Sequence, residues 1–206
     1  MKITLLLYLV VLFAIGCSDS SAPPANTQTY SGPIMPLEVG NMWAYHLKSY
    51  PGTGRVDESE DTMTIISKTT FNGKDGYVIS QKSMGSNEFI YFNYNDSLCY
   101  GAAGGPEYVV LAVYPMVEGQ QTIITDESQQ PGTIVTIKLD SLKTNLDLGF
   151  EKFYALKYRR IIDRGTDTVV AIDYYEPGIG WLKEEFYNSS GKLSSSFELA
   201  GYHVKK

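Results

Sequence analysis

With 206 residues, 43% of them hydrophobic and 19% charged, the chain holds enough apolar material for one folded core and is not disordered throughout. Its net charge of −6 and the lack of any long Lys/Arg run exclude nucleic acid and anionic headgroups as electrostatic partners, since both need clustered cations. Sixteen tyrosines, in a chain that is 13% aromatic, favour strands and surfaces that are half wet and half packed.

The chain opens on Met1-Lys2, and Ile3 to Ile15 then runs without a charge. That run is short of the ~20 apolar residues a membrane-spanning helix needs, and it fits the apolar region of a secretory signal. Ala14-Ile15-Gly16-Cys17 follows. It resembles the bacterial lipobox, with Ala14 where Leu is more usual. The resemblance implies a lipoprotein signal peptide over residues 1–16 and diacylglycerol on the Cys17 sulfur. It also implies an acylated mature N-terminus carrying chains such as palmitate. Each buried acyl carbon contributes ~0.8 kcal/mol to membrane attachment, so no spanning helix is required. Ser18 rather than Asp follows the cysteine, which by the same resemblance implies the outer membrane, on its periplasmic face. Asp19 alone is too little for a surface-export signal.

Residues 18–33 (SDSSAPPANTQTYSGP) are small, polar and Pro-containing, so 17–35 reads as a flexible linker and 36–206 as the folded domain. From Trp43 onward the apolar residues alternate, and turn residues punctuate them. Trp43, Tyr45 and Leu47 share one strand face. Thr62–Thr70 is β-branched, and Asn72-Gly73 and Asp75-Gly76 mark a hairpin turn into Tyr77–Met84. Glu88–Tyr94 and Leu98–Tyr100 flank Asn95-Asp96. The run GAAGGP over 101–106 reads as a loop, and Tyr108–Tyr114 as an apolar strand ended by Pro115. Thr122–Thr125 is short, and Val135, Ile137 and Leu139 alternate against polar neighbours. Phe153–Ile162 is long, with Tyr154, Leu156, Tyr158 and Ile162 on one side. Thr168–Tyr175, Trp181–Tyr187 and Leu193–Val204 complete ten or eleven strands, with no helical period. The fold class is therefore all-β: a large curved antiparallel sheet, half-barrel or barrel-like, because open sheets of this many strands rarely stay flat.

Motifs for chemistry are scarce. His46 and His203 have no Cys, His or carboxylate at metal-ligand spacing, and no metal or cofactor is expected. There is no G-x-S-x-G elbow and no phosphate loop, so no catalytic residue is assigned and the chain reads as non-enzymatic. Asp57, Glu58, Glu60 and Asp61 read as a solvated acidic run. Glu184 and Glu185 fall on opposite strand faces and cannot act as one carboxylate pair. Arg159 and Arg160 likewise diverge and read as isolated surface cations. Cys99, in a strand-like segment, reads as a small buried hydrophobe.

Three segments carry a wider resemblance. PLEVGNMWAY (36–45), FEKFYALKY (150–158) and YEPGIGWLK (175–183) are similar to the P-L-x-V-G-N-x-W-x-Y, F-x-x-C-x-x-V-x-Y and Y-A-P-G-V-G-x-V-K segments of bacterial envelope lipoproteins of unknown function. Phe153 stands in the Cys slot and Glu176 where a small residue is common. The resemblance implies a long, curved antiparallel sheet akin to the half-barrels of periplasmic lipoprotein carriers, and it is silent on activity. The expectation is a non-enzymatic envelope lipoprotein that binds a hydrophobic molecule or a partner protein. Trp43, Tyr45, Phe89, Tyr91, Tyr154 and Tyr174 are the candidate contacts. The alternatives are a structural or assembly subunit that uses exposed strand edges, and an enzyme assembled from scattered carboxylates and tyrosines.

Overall fold

The computed structural model describes residues 33–52, 54–82, 89–94, 97–102, 107–126 and 131–205. Cys17, the signal segment and the linker up to residue 32 lie outside the described residues, as do 103–106 of the expected loop. Among the described residues twelve strands form one sheet, one or two more than the alternation suggests. In chain order they are β1 (Met42–Ser49), β2 (Asp57–Phe71), β3 (Lys74–Gln81), β4 (Phe89–Tyr94), β5 (Ser97–Ala102) and β6 (Val109–Val113). The second half comprises β7 (Gln121–Asp126), β8 (Thr133–Asp147), β9 (Lys152–Asp163), β10 (Thr168–Glu176), β11 (Gly180–Tyr187) and β12 (Leu193–His203).

The sheet order is β6-β5-β4-β3-β2-β1-β12-β11-β10-β9-β8-β7, antiparallel throughout. The expected curved antiparallel sheet is thus present, as a nearly closed barrel. First and last strands pair at its centre, while the consecutive strands β6 and β7 form its two edges. Local chemistry sets the hairpins. Asn72 and Gly73 both take positive φ (48° and 76°), as a two-residue type I′ turn requires, whereas Asp75 and Gly76, also expected in the turn, already pair with Thr70 and Thr69 in the β2–β3 ladder. Bulges at Ala44/Tyr45, Ile65/Ser67 and Tyr174/Tyr175 interrupt the ladders and bend the sheet. The seam between the edges is bridged by the Tyr158 hydroxyl of β9, which donates to the Val113 carbonyl at 2.9 Å. The β6–β7 connection also bonds to Leu139 of β8, through Gly119 N to its carbonyl (2.8 Å) and from its amide to the Gln120 carbonyl (3.1 Å).

Alternation places the core inside the barrel. Trp43, Tyr45, Met63, Ile79, Leu98, Ile137, Leu139, Tyr158 and Tyr175 are almost fully buried, each side chain contributing ~1.5–3 kcal/mol. Ile34 and Met35 are also buried in this core, so a boundary at Pro36 would cut away two packed side chains. A second, smaller cluster of Phe71, Val78, Ile90, Phe92 and Cys99 occupies the opposite face of β3–β5. Phe71 stacks on Phe92 at 4.8 Å. The Phe71 ring lies so close to Gly101 that a Cβ there would sit 2.6 Å from Phe71 Cζ. Cys99 is the small buried residue expected, and burial pushes its thiol pKa up to about 12.

Candidate functional site

The inward faces of β3–β6 and β9–β12 leave a cavity of about 350 Å³ between them. That lies at the lower end of the range for small-molecule sites. One wall carries Phe89 and Tyr91 of β4, Tyr100 of β5 and Leu111 of β6. The other carries Ile162, Tyr175, Trp181, Phe186 and Phe197. The rings are paired: Tyr91 stacks on Tyr100 at 5.7 Å, and Trp181 stacks on Phe197 at 5.6 Å. Phe89 tilts against Tyr100 at 5.8 Å. Such pairs hold one another in position and keep the wall preformed.

Part of the lining is polar. Arg160 on β9 points inward beside Asp173 on β10 and Glu184 on β11, residues brought together by register: Arg160 pairs with Ala171, and Asp173 with Glu184. Arg160 Nε and Nη2 donate to the two Asp173 oxygens at 2.6 and 2.9 Å, and Nη2 also donates to Glu184 Oε1 at 2.6 Å. Asp173 is sealed from solvent, and Arg160 is only 7% exposed. Burial alone would lower the guanidinium pKa, but Asp173 and Glu184 outweigh it and hold the group well above its usual value. Burial and the adjacent Asp173 charge push Glu184 up to about 7, with Arg160 opposing them. A second polar contact lies on β2 and β3, where Gln81 Nε2 donates to Asp61 Oδ2 at 2.8 Å. Burial also raises the phenol pKa of Tyr45, Tyr91 and Tyr175, so these hydroxyls stay protonated and serve as hydrogen-bond donors or acceptors.

Of the six aromatic residues singled out from the sequence, Phe89 and Tyr91 line the cavity. Trp43 and Tyr45 face the interior but are core residues. Trp43 Nε1 donates to the Ile179 carbonyl at 2.7 Å, and the Tyr45 hydroxyl to the Trp181 carbonyl at 3.0 Å. Tyr154 is outside, 54% exposed, with the Lys143 ammonium 4.5 Å from its ring centre. The β8–β9 register shifts between Ser141 and Thr144, and the buried phase of β9 changes from Phe153 and Ala155 to Leu156 and Tyr158. Tyr154 therefore does not share a face with the inward residues that follow it. Tyr174 is buried on the opposite face from Asp173 and Tyr175, under Lys157. Tyr175 is the cavity residue in its place.

Two charge assignments need correction. Arg160 is no surface cation but the centre of a buried triad. Arg159 does point outward, to Asp140 at 2.9 Å. Asp61 is not part of a solvated run: it is 1% exposed and bonded to Gln81 and to the Thr62 amide, while Asp57, Glu58 and Glu60 are exposed. Glu184 and Glu185 do diverge; Glu185 lies with Lys183 at 3.1 Å on the outer face. His46 and His203 are exposed.

No protein-family model matches the chain, and no curated protein matches it. Similar solved structures exist. One is a candidate exported protein with a YmcC-like fold from Bacteroides fragilis, with 11% identity over 82% of this chain and 98% of its own and a TM-score of 0.52. Another is a candidate lipoprotein from Parabacteroides distasonis, with 14% identity over 84% of this chain and 99% of its own and a TM-score of 0.43. At these identities the likeness to the first is one of fold: the chain has the YmcC-like architecture of a twelve-stranded, nearly closed antiparallel sheet.

Proposed function

We propose that the chain is a lipid-anchored lipoprotein of the bacterial envelope that carries a small, largely apolar molecule in its barrel cavity and performs no chemistry on it. The observation that supports this most is the preformed cavity of about 350 Å³ walled by paired rings. Anchoring would come from acylated Cys17, on the periplasmic face of the outer membrane, and the exported character ascribed to the Bacteroides fragilis neighbour agrees with an envelope location. Removing the rings' apolar area from water on binding contributes ~25 cal/mol per Å². The test is titration of the neutral fluorophore phenylnaphthylamine into the full chain carrying Cys17→Ser, which leaves the probe no acyl chains to enter. Binding is expected, and Ser195→Phe, which puts a ring into the cavity, is expected to abolish it. Tyr154→Ala, outside the barrel, is expected to leave it unchanged. Failure of the wild-type barrel to bind, or binding indifferent to Ser195→Phe, would remove the carrier reading.

A second reading, an assembly subunit, draws on the edge strand β7. Ile123 is 63% exposed there and continues through Thr136 to the exposed Ile161 along one cross-strand row. An edge with an apolar flank suits pairing with another strand. A concentration-independent monomer that recovers no envelope protein after cross-linking would count against it.

A further inference from the structure

The carrier reading leaves the ligand's polar end unspecified, and Arg160 specifies it. Its Nε and Nη2 are occupied by Asp173 and Glu184. Nη1 bonds to nothing among the described residues, although Arg160 is more than nine-tenths buried. Nη1 is not enclosed either, for Trp181 Nε1 is the only fully enclosed, unbonded polar side-chain atom among the described residues. Arg160 lines the cavity, and with Nε and Nη2 engaged the two Nη1–H donors are those left to an occupant. Water can reach Nη1 in the open cavity, so an occupant that excludes it must supply an acceptor or leave a charged donor unpaired, and one that supplies it is favoured.

The surrounding charges decide what kind of acceptor fits. Asp173 and Glu184 already set two carboxyls against the single guanidinium charge, so a ligand carboxylate would be a third acid in one desolvated cluster. A ligand ammonium offers no acceptor to Nη1 and would leave its donors unpaired. An uncharged oxygen avoids both penalties.

We propose that the cavity takes a small neutral amphiphile. Its ring or branched apolar body lies between the Tyr91–Tyr100 and Trp181–Phe197 pairs, and an uncharged carbonyl-type oxygen accepts hydrogen bonds from Arg160 Nη1. This proposal rests on the carrier reading and adds the polarity and charge of the cargo.

Four probes sharing one naphthalene body test it by calorimetry on the full chain carrying Cys17→Ser. They are methyl naphthyl ketone, its isostere isopropenylnaphthalene (a methylene in place of the oxygen), naphthoate, and naphthylmethylammonium. The ketone is expected to bind about tenfold or more tightly than each of the other three, because a site built around a donor rejects an isostere lacking the acceptor. Arg160→Lys, which removes Nη1, is expected to erase the ketone's advantage while leaving isopropenylnaphthalene unchanged. The wild-type comparison stands alone should that variant fail to fold. A ketone advantage short of tenfold over its isostere, or tighter binding of either charged probe, overturns this inference and leaves a carrier of different cargo. If no probe binds, the carrier reading falls and the inference with it.

Discussion

Replacing Arg160 by Met is the perturbation with the largest consequence. Met fills much of the same volume but returns no donor. Asp173, with no solvent exposure, loses two bonds of 2.6 and 2.9 Å, and Glu184 loses one of 2.6 Å. Each bond to a charged group contributes about 1.5–3 kcal/mol, but the three share one guanidinium and do not add. Breaking a buried ion pair from one side costs about 3–5 kcal/mol, against the ~5–15 kcal/mol of a typical domain. In a chain of this size that lowers Tm by roughly 6–20 °C. Urea unfolding followed through Trp43 and Trp181 fluorescence reads the loss directly. The variant should also respond to pH with a definite sign. Without the guanidinium, the Glu184 carboxyl rises further above its usual range, so the folded state binds protons the unfolded state does not. The gap to wild type should therefore narrow as pH falls. Replacing all three members by apolar residues of similar volume should recover most of the loss, since a buried ion cluster is no more stable than a packed apolar one. A loss below about 1 kcal/mol for Arg160→Met, or a gap that does not change with pH, would refute the assignment of Arg160 as the buried partner of both carboxyls.

Glu184, raised from 4.5 to about 7, makes a stability contribution that is complete below its unfolded pKa and is lost as pH rises through about 7. Wild type should lose on the order of 3 kcal/mol across that window, and Glu184→Gln should flatten the dependence when urea midpoints are compared at its two ends. Gly101→Ala should cost roughly 1–3 kcal/mol by thermal unfolding, because its Cβ would sit 2.6 Å from Phe71 Cζ and 2.8 Å from the Glu107 carbonyl oxygen, and a backbone oxygen moves less readily than a side-chain tip. Cys17→Ala should prevent incorporation of labelled palmitate and leave the protein out of the membrane fraction; label at wild-type levels on the variant would reject Cys17 as the lipid site.

The meander was legible because its signals are local. Period-2 runs, Asn72-Gly73 and the glycine-rich breaks mark strands and hairpins one at a time, and each hairpin joins neighbours in the final sheet. The pairing of β1 with β12 is not local, and neither is the seam between β6 and β7; no residue in Met42–Ser49 announces a partner more than a hundred positions away. The site failed to appear for a related reason. Arg160 lies next to Arg159 in sequence, and its partners Asp173 and Glu184 sit on two other strands, each beside residues of ordinary surface character. Alternation did separate Arg159 from Arg160 and Glu184 from Glu185. It could not say which of each pair turned inward, because that sign depends on the bulges. The same ambiguity put Tyr174 forward in place of Tyr175. A joint reading of the three strands would have helped: Arg160, Asp173 and Glu184 each share a parity with an inward large residue on the same strand (Tyr158, Tyr175 and Phe186), and three inward charges of mixed sign call for one another.

Strand number links composition to cavity. About eight strands enclose an interior that side chains just fill, and more strands enclose a wider one. A nearly closed sheet of twelve must either flatten, admit water or fill its lumen with large side chains. This chain does the last with Trp43, Tyr45, Tyr158 and Tyr175, all essentially without solvent exposure, and here its aromatic content has a structural cause. Filling stops where Arg160 projects from β9, because a guanidinium with Asp173 and Glu184 around it cannot be capped by another apolar ring without burying the free Nη1 donors. The rings that would otherwise meet across the barrel, Tyr91 and Tyr100 from one side and Trp181 and Phe197 from the other, pair instead within their own walls and leave the space between them open. The charged triad is thus both the reason the lumen is not filled and the polar feature that any occupant must satisfy.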